Sequence, residues 1–334
     1  MNNKSARKFL QKVLFFSLIV LVLNFLVGFV LEIPTKLAIK TGNFYPSIRW
    51  KDFYALEKNS LDIVFLGSSH CYRSFDPALI DAELGTESFN MGSSSQSAIT
   101  SYYVFQEILR FQRPKVVVLE LYWKTLHDDN QFTNASYNYE YMQNGTPKRD
   151  LFINAFFPYD WLNYLFPSFR YRRNIGNLVK LLVGEDADKL FGRDDEWYEY
   201  RGFVKSVGEF DQSEKNEFEN YMFSTTSSIG WRNVFFLSKL VTSAKNNGIQ
   251  VVGVVAPLPS LSLSHIANYE EIHSFYEYLS NDLGIIVVDY NLINHSERIF
   301  KDSDFKDDDH LNYEGVQKLC NDIVERVLKS ALSD

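Results

Sequence analysis

Hydrophobic positions along the chain follow two patterns. The first is one long run, Val13 to Leu31 (VLFFSLIVLVLNFLVGFVL), nineteen residues without a charge. At 1.5 Å per residue it spans about 28 Å, enough to cross a hydrocarbon core. Asn24 is its only strongly polar side chain, and the run lacks the polar stripe of a core helix. Glu32-Ile33-Pro34-Thr35-Lys36 follows it, which is no small-x-small cleavage site, so the run reads as an uncleaved signal anchor. The second pattern is a series of short β-branched runs separated by helical stretches. Leu61–Leu66, Glu87–Asn90, Lys115–Leu121, Gly248–Ala256 and Gly284–Asp289 read as strands. Helices are expected over 76–84, Ala98–Phe111, Tyr269–Leu283 and Tyr313–Leu332. This alternation predicts an α/β fold with a doubly wound, flavodoxin-like parallel sheet, whose ligands bind beyond the carboxyl ends of the strands.

The expected organisation is a basic tail (1–12), a transmembrane anchor (13–31), a connector (32–60), an α/β domain (61–123 and 248–334) and an insertion (124–247). The insertion is too long for a simple crossover. It is dense in aromatics, among them Tyr137, Tyr139, Phe156, Trp161, Phe169, Trp197 and Tyr198. That density predicts a helical cap with an apolar core, or a lid or platform for sugar rings.

Charge narrows the function. Lys4, Arg7, Lys8 and Lys12 are unopposed in the first twelve residues, and the remaining 30 basic and 42 acidic residues leave −12 on the rest. Such a balance repels a nucleic-acid backbone, so no nucleic-acid partner is expected. The same four cations, against Lys36, Lys40 and Glu32 on the other flank, put the N-terminus inside and the main domain outside the cytoplasmic membrane. The opposite orientation, with the domain in the cytoplasm, is the alternative. Two cysteines, Cys71 and Cys320, exclude a four-thiolate zinc site and leave either one disulfide or two free thiols.

Three motifs carry candidate chemistry. Gly67-Ser68-Ser69-His70 lies where the first strand ends and a helix begins, a place that lifts a serine hydroxyl over the sheet. Asn90-Met91-Gly92 follows the second strand, where a glycine N–H can face a developing oxyanion. Asp307-Asp308-Asp309-His310 precedes the last helix and can set a carboxylate beside an imidazole. The same acidic stretch fails as an EF-hand. Counted from Asp302, the sixth position is Asp307 rather than Gly and the twelfth is Tyr313 rather than Glu. No set of residues has metal-ligand spacing, and no cofactor is expected. His70 is either a pocket residue or an exposed helix-start histidine. His127, beyond the third strand, is a candidate substrate contact, and His265, His273 and His295 read as surface residues.

Taken in order, these blocks resemble the SGNH (GDSL-type) hydrolase family. Phe65-Leu66-Gly67-Ser68-Ser69 is similar to the family's Gly-Asp-Ser block, with Ser68 in the Asp place and Ser69 in that of the nucleophile. Asn90-Met91-Gly92 is similar to the second block, whose glycine N–H serves the oxyanion hole, and Asp307-x-x-His310 to the last, which completes the triad. The resemblance covers 61–123 and 248–330. It departs at the third block, Gly-x-Asn-Asp in the family, where this chain reads Glu120-Leu121-Tyr122-Trp123. That leaves one oxyanion donor to come from elsewhere, with Gln96 or Asn130 as candidates. The membrane-anchored form with Gly-Ser-Ser further resembles the D-alanyl transfer protein of teichoic acid and the acetylation proteins of bacterial exopolysaccharides. The resemblance implies a serine O-acyl esterase or acyltransferase using Ser69, His310 and Asp307. Its implied substrate is an envelope polysaccharide or other acylated glycan, and a transferase would take a multi-span membrane acyl donor as partner. The alternative is a catalytically inactive scaffold or glycan-binding protein with the same fold.

Overall fold

The structure is a computed structural model that describes residues 3–41, 45–127, 132–192, 195–213 and 215–333. The chain folds into two compact units, 1–44 with 157–193, and 45–156 with 194–334.

The larger unit is built on a five-stranded parallel sheet. Its strands are β1 (Ile63–Leu66), β2 (Ser88–Asn90), β3 (Val116–Glu120), β6 (Gln250–Val255) and β7 (Ile286–Asp289), in the order β2-β1-β3-β6-β7. Two more strands, β4 (Glu196–Tyr200) and β5 (Phe203–Ser206), form a separate antiparallel hairpin. The order of the main sheet is that of a flavodoxin-like doubly wound fold, reversing direction beside β1. Period-two alternation feeds both faces. Ile63, Phe65, Val116, Val118, Val252 and Val254 point into a core shared with the helices Ser69–Ser74, Pro77–Leu84 and Tyr313–Ile323. Val64, Leu66, Val117, Leu119, Val251 and Val255 point into the other, against Ala98–Ile108, Trp231–Asn246 and Tyr269–Leu283. Burial on both faces is why these strands read as continuous β-branched runs.

The structure adds detail that the hydrophobic pattern did not convey. The stretch 32–60, expected as a connector, holds the helix Tyr45–Ala55, which buries Trp50 and Phe53 in the core. The last helix is α-helical only to Ile323, then passes through a π-turn at Val324–Leu328 before Lys329–Ser333. Within 124–247, residues expected as a helical cap also form the β4–β5 hairpin. Its tip lies against the edge of the sheet, where Asn90 N–H donates to the Arg201 carbonyl at 2.8 Å. Gly202 at the tip has φ +88°, and a Cβ there would come 1.8 Å from the Asn90 oxygen, so only glycine fits.

The smaller unit contains the helix Asn3–Leu31, followed by Ile33–Lys40, and the short helices Trp161–Leu165, Pro167–Arg170, Ile175–Leu182 and Ala187–Phe191. Among the described residues one helical stretch, Ser5–Lys40, is long and apolar enough to cross a membrane. Only 6% of its most apolar window is buried, which a core helix would not allow.

Candidate active site

The site forms at the carboxyl ends of β1, β2 and β3. β1 ends at Leu66, and Gly67 (φ +154°) turns the chain into the helix Ser69–Ser74. A Cβ on Gly67 would lie 2.6 Å from the Glu120 Cβ, so the turn needs glycine to pass the end of β3. The Ser68 hydroxyl caps the helix by accepting the His70 N–H at 3.2 Å. Ser69, at the first helical position, is half-buried.

The second arm is the loop before the helix Tyr313–Ile323. Phe305 and Leu311 anchor it in the core and pair across an isolated bridge. Asp307 Oδ1 accepts the backbone N–H groups of Asp309 (3.1 Å) and His310 (2.7 Å), and Asn312 caps the helix through the Glu314 and Gly315 amides. This turn aims His310 at Ser69. His310 Nε2 lies 2.9 Å from Ser69 Oγ, and Nδ1 lies 3.0 and 3.1 Å from the two Asp307 oxygens. Residues 241 apart in the chain are thus brought into the arrangement that nucleophilic catalysis requires.

A second carboxylate converges on the same ring. Asp309 Oδ1 is 2.5 Å from His310 Nδ1, and its Oδ2 is 3.3 Å from His70 Nε2. His70 is buried rather than exposed, packed 4.1 Å from the Tyr122 ring and 4.8 Å from that of His310. Burial pushes the His310 pKa down, but the Asp309 and Asp307 carboxylates more than offset this and hold it at about 9. Burial likewise pushes Asp309 up, and the two histidines override it, leaving Asp309 well below the ordinary carboxylate range. His70, Asp309 and His310 place their donor atoms within 4.8 Å of one another, as do Asp307, Asp308 and Asp309, so either trio could hold a cation. Sequence spacing did not reveal the first trio, because His70 lies 239 positions before Asp309.

The remaining candidates fall into scaffold and rim. Asn90 is fully buried. Its amide donates to the carbonyls of Cys71 and Phe75, and its Oδ1 accepts from Cys71 Sγ and from the Gly92 N–H at 3.0 Å. The Gly92 amide, expected to face an oxyanion, is therefore engaged by Asn90 in the structure. Gln96 is buried, donates to Ser101 Oγ, and accepts from Ser93 and Asn138. It holds the 91–97 loop. Arg49 completes that network, donating to the Gly92 carbonyl and, at 2.7 Å, to Asn138 Oδ1. Burial pushes its guanidinium down to about 10. His127 is exposed, and Asn130 lies outside the described residues. Cys71 and Cys320 are both free and buried. His273, read as a surface residue, is instead half-buried, with Nδ1 3.1 Å from Asp289 Oδ2.

Three contributors escaped the sequence reading. Glu120, in the place of the third block, accepts both the Ser68 N–H and the Ser68 hydroxyl at 2.7 Å. Tyr122 donates to Glu217 at 3.2 Å, and Lys124 pairs with Glu217 at 2.9 Å, forming the rim. The β4–β5 hairpin buttresses both arms: buried Glu196 pairs with Arg73 of the nucleophile helix and, at 3.3 Å, with Lys306 of the histidine loop. The hairpin's alternating residues around Arg201-Gly202 were a legible signal, masked by the surrounding aromatics.

No protein-family model matches the sequence, and no curated protein matches it. The solved structures similar to the chain include the following three. A protein from Bacteroides fragilis named as an acylhydrolase is 14% identical, with a TM-score of 0.37 over 84% of this chain and 94% of its own. A protein from Desulfitobacterium hafniense named as a lipolytic protein of the G-D-S-L family is 10% identical, with a TM-score of 0.38 over 79% of this chain and 98% of its own. A GDSL-like lipase from Bacteroides thetaiotaomicron is 13% identical, with a TM-score of 0.36 over 85% of this chain and all of its own. In its α/β fold, and in the order in which Gly67-Ser68-Ser69, Asn90-Met91-Gly92 and Asp307-x-x-His310 meet at the sheet's edge, the chain resembles the SGNH (GDSL-type) hydrolases.

Proposed function

We propose that this protein transfers acyl groups through a serine ester, as an O-acyl esterase or an O-acyltransferase. The observation that carries the reading is the line of contacts Ser69 Oγ–His310 Nε2 (2.9 Å) and His310 Nδ1–Asp307 (3.0 Å). In the first step Ser69 Oγ attacks the ester carbonyl while His310 Nε2 takes its proton, and Asp307 fixes the tautomer and orientation of the ring. The tetrahedral intermediate then collapses, His310 returns the proton to the departing alcohol, and the acyl group stays on Ser69. Water as acceptor gives an esterase and a sugar hydroxyl a transferase. The apolar helix and its flanking cations support a bacterial cytoplasmic-membrane protein with its domain outside. There an envelope polysaccharide is the substrate, acetyl the acyl group, and a multi-span acyl-donor protein the partner.

The test is intact-mass labelling of the full chain in detergent with a serine-reactive phosphonate, beside Ser69→Ala and His310→Ala. One adduct, absent from both variants, is the expected result. A folded wild-type chain that takes no adduct and moves no acyl group to a glycan acceptor would overturn it. The engaged Gly92 amide and the Glu120 carboxylate favour a binding protein as the reading that would then replace it.

A further inference from the structure

The segment 157–183 sits in the middle of the aromatic-rich insertion, yet it clusters with the N-terminal helix and exposes its large apolar side chains. Tyr159, Leu165, Phe169, Ile175, Val179, Leu182 and Val183 are each more than half exposed, and Trp161 and Leu162 nearly so. An apolar surface of this extent on a soluble face would be a liability. Its contacts show where it lies. Asn24, the one strongly polar residue of the apolar run, donates to Ser168 Oγ at 2.6 Å. Gly28 packs so closely on Pro167 that a Cβ there would come within 2.4 Å of the proline. Tyr171 then donates to Glu32 at 3.1 Å, and Asn174 to the Leu31 carbonyl and Thr35 Oγ1, both at 2.8 Å. The segment therefore climbs along the helix from Asn24 to Thr35. Asn24 lies seven residues before Leu31, about 10 Å deeper at 1.5 Å per residue, against a hydrocarbon half-thickness of about 15 Å. A small residue allowing close approach and a paired amide are the devices by which elements pack inside a bilayer.

Charge follows the same geometry. Between 157 and 183 there are four basic residues, Arg170, Arg172, Arg173 and Lys180, and one acid, Asp160. The basic residues fall where the segment returns to the level of Glu32 and Thr35, the depth of the lipid phosphates.

We propose that residues 157–183 form a second membrane element, a re-entrant wedge seated in the outer leaflet against the N-terminal helix, with its apolar face in the acyl chains and its arginines at the headgroups. The inference rests on reading 13–31 as a bilayer span. Trp161 is the native reporter. The full chain is reconstituted into vesicles of ordinary phosphatidylcholine with one-fifth phosphatidylglycerol, and into matched vesicles whose acyl chains carry bromine, a short-range quencher of tryptophan. Flotation with the vesicles reads the span by itself. Floated wild-type protein should lose a fraction of its emission in bromolipid, and Trp161→Phe should abolish most of that loss while floating equally well. Leu165→Trp in the Trp161→Phe chain should restore it. Failure to float overturns the span and the wedge together. Flotation with Trp161 emission quenched by aqueous acrylamide but not by bromolipid overturns the wedge alone. Flotation with Trp161 shielded from both quenchers assigns the face to a protein contact, and overturns it too.

Discussion

Replacing Asp309 by asparagine separates the two carboxylates that share His310. In the native site Asp309 stands between two imidazoles, 2.5 Å from His310 Nδ1 and 3.3 Å from His70 Nε2. Burial alone would push the His310 pKa below its ordinary 6.5, and Asp309 is the largest influence that reverses this and brings it to about 9. A base with a pKa of 9 is only ~1% neutral at pH 7, and only the neutral ring can take the Ser69 proton. The wild-type rate should therefore climb about tenfold per pH unit and level off near pH 9. Asparagine removes the charge and leaves burial opposed mainly by Asp307. The His310 pKa should then fall by about 2 units or more, and the neutral fraction at pH 7 should reach roughly half. Acylation by an activated acetate ester, followed as kcat/KM from pH 5 to 10, should rise by up to ~50-fold at pH 7, its alkaline limb displaced downward. Asp307→Asn, which removes the carboxylate whose two oxygens meet Nδ1, should instead lower the rate at every pH, by up to ~10⁴ in a triad of this kind. The reasoning is refuted if Asp309→Asn depresses activity across the whole range with its limb unmoved, because Asp309 would then be the orienting carboxylate. The same shift has a stability counterpart. With its folded pKa above the unfolded 6.5, His310 contributes stability that is fully present below pH 6.5 and is lost as pH rises through about 9.

Two further outcomes are expected from the scaffold around the site. Gly202→Ala should lower stability by roughly 2–4 kcal/mol, since it combines a positive φ with a collision on the Asn90 carbonyl; Gly248→Ala, at φ +70° in open space, should lose only about 1 kcal/mol, and thermal melts compare the two. Burial pushes the Cys320 thiol up to about 12 and Cys71 well above its ordinary value, so neither should react with a maleimide at pH 7.5 until the chain is unfolded, when mass spectrometry should find two labels.

The sheet was legible because its strands are buried on both faces: runs such as Lys115–Leu121 and Gly248–Ala256 contain little but β-branched residues and end at proline or polar turns. The Ser69–His310–Asp307 contacts were legible for a related reason. Each residue lies at the end of an element whose position in a doubly wound fold is fixed, so order along the chain becomes proximity in space. Asp309 was not singled out, since nothing in a run of three aspartates says which carboxylate turns toward the imidazole; that depends on the Asx turn at Asp307 and on a histidine 239 positions away. Trp50 and Phe53 hid in a stretch whose charged neighbours gave it no clear helical stripe. Trp161 and Trp197 looked alike in the sequence as parts of one aromatic insertion. The first belongs with an apolar span, the second with a hairpin that braces the site, and only tertiary structure divides them.

Glu120 links these features to the chemistry. In the place of the SGNH block Gly-x-Asn-Asp this chain sets Glu120 where the glycine would stand and Tyr122 where the donating asparagine would. The buried Glu120 carboxylate accepts twice from Ser68, and its other oxygen has no hydrogen-bond partner among the described residues. A carboxylate there stiffens the Gly67–Ser68 turn and thereby fixes the approach of Ser69 to His310. Two guanidinium groups belong to the surrounding scaffold: buried Arg49 donates to the Gly92 carbonyl, and Arg73, one turn beyond Ser69, pairs with Glu196. With the Gly92 amide engaged by Asn90, Tyr122 in the place of the asparagine and a carboxylate holding Ser68, the turn is organised for setting Ser69 against His310 rather than for presenting the family's oxyanion donors.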